Sequence, residues 1–153
     1  MKKLDVGQTI QMLANVGVLA GIVFLALEIR QNSYAVQAQS RAQIASDAAD
    51  HLMRIAENPQ ITEIYIRAND GEELSEVEQY QLLYWLQSRV RRWENIHYQY
   101  RQGLYSEEDY VGNRTAWRGA LSSQSARQHW EQNRDSFSPE FAAEIDRLLA
   151  GPQ

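Results

Sequence analysis

The sequence predicts an all-α protein. One N-terminal transmembrane helix continues into a long helix that packs with a soluble helical bundle. Three observations predict this. Val6 to Leu27 is an unbroken uncharged run of 22 residues. Helix-capping signals recur at intervals through the rest of the chain. No segment shows the apolar–polar alternation of a half-buried strand.

The uncharged run comes first. At about 1.5 Å per helical residue it is about 33 Å long, against a hydrocarbon core of about 30 Å. A cleaved signal peptide is the rival reading, with Lys2 and Lys3 as its charged start. The run ends Phe24-Leu25-Ala26-Leu27-Glu28, with bulky residues where a signal peptidase needs small ones. Residues 1–27 are therefore expected to be an uncleaved anchor and residues 28–153 a helical soluble domain. The lysines before the run, against Arg30 and Arg41 after it, favour an N-terminus in the cytoplasm and a periplasmic domain.

No Pro or Gly occurs between Gly21 and Pro59. The first helix is therefore expected to run without a break from Val6 to about Glu57, until Asn58-Pro59 stops it. A short helix follows over Gln60 to Asn69, and Asp70-Gly71 makes a turn. Ser75-Glu76-Val77-Glu78 reads as a capping box opening a helix to about Gln102, closed by Gly103. Ser106-Glu107-Glu108-Asp109 opens the next, to about Leu121, with acids placed against the helix dipole. Ser123 to Asp135 reads as a further helix. Ser138-Pro139 opens the last, with Ser at the cap and Pro at the first helical position, and Gly151-Pro152 ends it.

Composition narrows the function classes. A net charge of −5 gives no basic face for nucleic acid. With no cysteine, disulfides, thiolate metal sites and cysteine nucleophiles are excluded. The chain has neither a G-x-S-x-G elbow nor a glycine-rich phosphate loop. Glu94 and His97 form one E-x-x-H, the spacing that holds iron or manganese in four-helix carboxylate proteins. Those sites need two such pairs and two further carboxylates. His51 and His129 have no acid three residues before them. Glu94 is therefore expected to pair with Arg91 or an Arg from another helix, and His97 to be a half-buried core or surface residue. Trp85, Trp93, Trp117 and Trp130 are expected in the core. No catalytic, cofactor or metal set is expected.

Two patterns on the first helix concern association. On a helical wheel Gln11, Ala14, Asn15, Gly17, Val18, Gly21, Ile22, Leu25 and Glu28 fall on one side. Met12, Val16, Leu19, Ala20, Val23 and Leu27 fall on the other, which is wholly apolar. That division separates a protein face, with the G-x-x-x-G of Gly17 and Gly21 and a hydrogen-bonding Asn15, from a lipid face. The interface residues are expected to be Gln11, Ala14, Asn15, Gly17, Val18, Gly21 and Glu28. Further on, Ala38, Ala42, Ala45, Ala49, Leu52 and Ala56 form a heptad seam. It is expected to pack inside the domain, against the helix from Ser75 to Gln102.

Glu28-Ile29-Arg30-Gln31-Asn32-Ser33, Arg91 to Gly103 and Phe137-Ser138-Pro139-Glu140-Phe141 together resemble a family of small bacterial single-pass membrane proteins. In that family an E-I-R-Q-N-[ST] tract follows the transmembrane helix. The resemblance spans most of the chain and implies architecture, with no activity to carry over. The function expected is that of a non-enzymatic interaction, scaffold or accessory subunit of the bacterial inner membrane. Its partners would be lipid and protein, either as a homo-oligomer or within a larger complex. The alternative is a membrane-tethered domain that binds or senses a small ligand through its Tyr/Trp/Arg-rich helix.

The anchor has a direct check. The full-length chain should stay with membranes through a carbonate or high-salt wash. Its recovery in the soluble fraction would remove the basis for an anchor.

Overall fold

A computed structural model describes residues 6–151. Lys2, Lys3 and Asp5, which bear on orientation, and Pro152 lie outside the described residues, as does the start of the expected anchor. Among the described residues the chain is helical with no strand. The helices are α1 (Val6–Ala56), α2 (Pro59–Asn69), α3 (Glu76–Arg101), α4 (Glu107–Ala120), α5 (Gln124–Asn133) and α6 (Pro139–Ala150). A 3-10 turn, Arg134–Ser136, follows α5.

The helix ends follow local chemistry. The Asn58 side chain accepts the Ile61 N–H, and Pro59 occupies the first turn of α2. Ser75 and Glu78 complete the capping box, with Ser75 N–H donating to Glu78 Oε2 at 2.8 Å. Gly103, at φ 71°, turns the chain out of α3 in a conformation that only glycine adopts without strain. Ser106 Oγ accepts the Asp109 N–H at 3.1 Å, below three acids in the first turn of α4. At α6 the cap differs from expectation. The Ser138 side chain makes no capping bond. Instead, the Ser138 N–H donates to Glu94 Oε1 at 2.7 Å, which ties the start of α6 to α3.

The chain divides into two compact units, Met1–Gln39 and Ser40–Gln153. In the first, the described part of α1 buries no side chain. It holds the one described helix long and apolar enough to cross a membrane.

The second unit is built on an aromatic core. Phe141 is fully buried, with ring centroids 5.8 Å from Phe137, 6.0 Å from Trp130 and 6.2 Å from Trp117. Trp117 stacks on Trp93 at 5.6 Å. Val90, Ile96, Leu121, Ile145 and Leu148 fill the space around them. Three of the four tryptophans are thus core residues, as expected; Trp85 is half-buried. Helix α3 buries Leu86, Val90, Trp93, Ile96 and His97.

The alanine seam is a correction. Ala38, Ala42, Ala45, Ala49, Leu52 and Ala56 are all exposed. From Ser40 onward, α1 turns a different face inward: Ile44 is buried, and Ser40, Asp47, Ala48, His51 and Ile55 are half-buried. Contacts to α3 come from this face, as in Ser40 Oγ to Gln99 Oε1 at 3.3 Å. The physical reason is area. Ile44, Ile55 and the His51 ring bury more apolar surface than a row of methyl groups.

Phe141→Ala should cost about 3–5 kcal/mol, as expected for emptying a filled aromatic site. Ala45→Gln on the exposed seam should stay within about 0.5 kcal/mol. Denaturant unfolding followed by near-ultraviolet circular dichroism measures both. A cost above about 2 kcal/mol for Ala45→Gln would return the seam to the core.

Candidate functional site

Three places combine residues that chemistry or association could use. The first is the glycine-bearing face in the apolar stretch of α1. Gln11, Ala14, Asn15, Gly17, Val18, Gly21 and Glu28 are all exposed. A Cβ built at Gly17 or Gly21 meets nothing within 4 Å. The chain's own packing therefore gives no reason for glycine at either position. The opposite face forms a shallow apolar depression lined by Val16, Leu19, Ala20, Val23, Phe24 and Leu27.

The second place is a buried polar group beside the aromatic core. His97 Nδ1 and the Tyr110 hydroxyl are 2.7 Å apart. Glu144, only 4% exposed, lies between Arg114 at 2.5 Å and Arg147 at 2.6 Å. Burial raises the Tyr110 hydroxyl far above the ordinary range, and the Glu144 charge adds to this. Burial also lowers His97, against the pull of Glu144. Every charge here has a partner of opposite sign. His97 Nε2, Arg114 Nε and Glu144 Oε1 are nevertheless buried without a hydrogen-bond partner.

The E-x-x-H residues are engaged separately. Glu94 pairs with Arg91 at 2.8 Å and receives the Ser138 N–H, while His97 meets Tyr110. Burial works to raise the Glu94 carboxyl, but the Ser138 N–H and Arg91 outweigh it and hold it below the ordinary range.

The third place was not visible as a site in the sequence. The Arg89 guanidinium carbon lies 5.8, 4.9 and 5.4 Å from the ring centroids of Tyr65, Trp85 and Trp93. Its Nε and Nη2 are buried without a hydrogen-bond partner, as are Arg92 Nε, Trp85 Nε1, His51 Nε2 and His129 Nε2. His51 lies parallel to Trp85 at 6.4 Å. Burial pulls Arg89 and Arg92 below the ordinary arginine range. It also lowers His51 to about 4, helped by the charges of Arg92 and Arg89. His51 and Trp85 line a cleft of about 590 Å³, together with residues from the end of α1 and the starts of α2 and α3. The available signal was Trp85, Arg89 and Trp93 at successive i, i+4 steps. That spacing stacks a cation between two indoles on one face of α3.

No family model, no curated protein and no solved structure matches the chain. Function is therefore argued from these three places.

The histidines have a consequence for stability. A folded-state value below the ordinary histidine value means that the unfolded chain binds the proton first as pH falls. The stability that neutral His51 contributes is full above about pH 6.5 and is lost progressively towards about pH 4. His97 and His129 shift in the same direction. The melting temperature should therefore drop between about pH 7 and about pH 5, before most carboxylates titrate. His51→Gln should reduce that drop. An undiminished drop in the variant would show that His51 is not responsible.

Proposed function

We propose that this protein is a non-enzymatic, single-pass protein of the bacterial inner membrane, with its helical domain on the periplasmic side. It acts as an interaction or accessory subunit by associating through the glycine-bearing face of α1. One observation carries the reading: Gly17 and Gly21 stand fully open on an apolar helix that no other part of its unit covers. In lipid there is little hydrophobic drive between helices. Close backbone approach and interhelical hydrogen bonds must hold them, and glycine permits the first while Asn15 and Gln11 supply the second.

The register of α1 supports a helical partner. Counting back by sevens from Ala56 gives Ala49, Ala42, Ala35, Glu28, Gly21, Ala14 and Gly7. Only Glu28 among these is neither alanine nor glycine. A strict seven-residue repeat is the period of a left-handed supercoil, with small residues at one seam position allowing close approach.

Glu28 distinguishes the kinds of partner. In a symmetric dimer it meets its own copy, a like-charge contact that weakens association. Against a different subunit it can face a cation.

Substitution along α1 tests the reading. Gly17→Leu and Gly21→Leu should weaken assembly, read by crosslinking or native mass in mild detergent, while Ala20→Leu should leave it unchanged. Asn15→Leu should cost about 0.6 kcal/mol, and up to ~2 if its hydrogen bond is well shielded. Glu28→Gln should strengthen a homo-oligomer and weaken a complex with a basic partner. If the glycine variants assemble as the parent does, the face is not an interface.

A further inference from the structure

Among the described residues, the neighbouring cations Arg89 and Arg92 form no ion pair with a carboxylate, and only Asp47 offsets part of the Arg92 charge. Arg89 is held among Tyr65, Trp85 and Trp93, and Tyr65 is the group whose interaction favours its charge. Arg92, the next cation on that side of α3, repels it. Asp47 eases the Arg92 charge from a distance, but its side chain accepts from Gln43 at 2.8 Å. What Arg92 reaches is the Asp47 backbone carbonyl, at 3.4 Å. An arginine does not shed its proton to escape such a setting. Aromatic faces recover about 0.5–2 kcal/mol of the charge's lost hydration, which is less than a counterion provides.

An opening lies next to this cluster. Trp85, which lies against Arg89, and His51, which lies parallel to Trp85 and feels the charges of Arg92 and Arg89, also form part of the cleft wall. Arg54, Gln60, Gln81 and Ser88 bring further donors to the cleft, and Glu57 is its one acid. Its volume of about 590 Å³ suits a small ligand. His51 and Trp85 each keep a buried ring nitrogen without a partner. Buried unpaired polar atoms are rare, and an absent ion or ligand is among their recognised causes.

We propose that this cleft binds the oxyanion of a small ligand, a phosphate or carboxylate group. The anion settles against His51 and Trp85 with Arg54 at the rim, and it supplies the counter-charge that Arg89 and Arg92 lack. The inference is independent of association through α1. It gives chemical content to the tethered ligand-binding domain that the Tyr/Trp/Arg-rich helix suggested. The anion's source is either a free phosphate compound or the headgroup of an anionic lipid, since both present the same oxygens.

The test uses the full-length protein in mild detergent, titrated with inorganic phosphate at constant ionic strength against chloride. Tryptophan emission and melting temperature should both respond and saturate. Arg54→Gln should weaken half-saturation by about tenfold or more, the scale of one lost charge-assisted hydrogen bond, and Arg89→Met, which removes the buried charge beside the cleft, should weaken it in the same direction. Arg118→Gln, an exposed charge on α4, should leave the titration unchanged. A second arm places the protein in phosphatidylcholine bilayers with and without phosphatidylglycerol. An arginine-dependent response confined to the phosphatidylglycerol bilayers assigns the site to a headgroup; one seen with inorganic phosphate assigns it to a free ligand. If Arg89→Met does not fold, Arg54→Gln decides alone. The absence of a saturable response in both arms overturns the proposal, as does a response that the folded arginine variants leave intact.

Discussion

The stretch of α1 from Val6 to Leu27 exposes an apolar surface long enough to cross a membrane. From Val6 to Leu27 every residue of α1 is uncharged and every one is exposed. In water such a surface would be driven to collapse or aggregate, at a cost of about 25 cal/mol for each Å² of apolar area. In the proposed membrane setting, lipid would remove that cost from all sides of the helix at once. It would also change what a polar residue means there. Asn15, ordinary on a soluble helix, would become a group that seeks a hydrogen-bond partner within an apolar medium. The proposed function rests on that change of medium, because the same residues would carry no message in a soluble protein.

The second unit solves a different problem, and its two polar clusters solve it in opposite ways. Glu144 is almost fully buried, yet Arg114 and Arg147 both reach it, and the His97–Tyr110 pair closes the remaining space. Charge balances within the fold, although His97 Nε2, Arg114 Nε and Glu144 Oε1 keep no hydrogen-bond partner. Around Arg89 it does not. Three aromatic rings receive the guanidinium, but its Nε and Nη2 stay unmatched, and Arg92 adds a second positive charge. Chemical interest follows the imbalance rather than the burial. A balanced buried cluster explains itself through stability, whereas an unbalanced one calls for something from outside.

Most of the fold was legible because helix boundaries are set by local rules. The Ser75–Glu78 box, the acids after Ser106, Asn58-Pro59 and Gly103 each act within one turn of where they stand. Where a boundary depended on distant residues, legibility fell. Nothing near Ser138 announces that Glu94 of α3 takes its N–H. The end of α5 tightens into a 3-10 turn that local signals had merged with the helix. The alanine seam shows the limit most clearly. Its heptad period was real, but a period states that residues share a face and not that the face is buried. Ile44, His51 and Ile55 shared another face with more area to lose from water, and that face packs.

The candidate sites divide along the same line. The α1 face could be read from sequence because a helical wheel needs only one helix. The Arg89 cage needed Tyr65 from α2 and His51 from α1 beside Trp85 and Trp93 of α3. Only the α3 part has a sequence signature, and that part alone reads as a common cation–aromatic stack. What makes it unusual is the missing carboxylate, and an absent partner has no motif. It becomes visible only after the fold has decided which acids are near. Asp47 and Glu94 lie on α1 and α3, and Glu57 just after α1. Asp47 accepts from Gln43, Glu57 lines the cleft, and Glu94 is held by Arg91 and Ser138. With those acids committed or standing off, the positive charge of Arg89 and Arg92 is left for an anion that the chain does not contain.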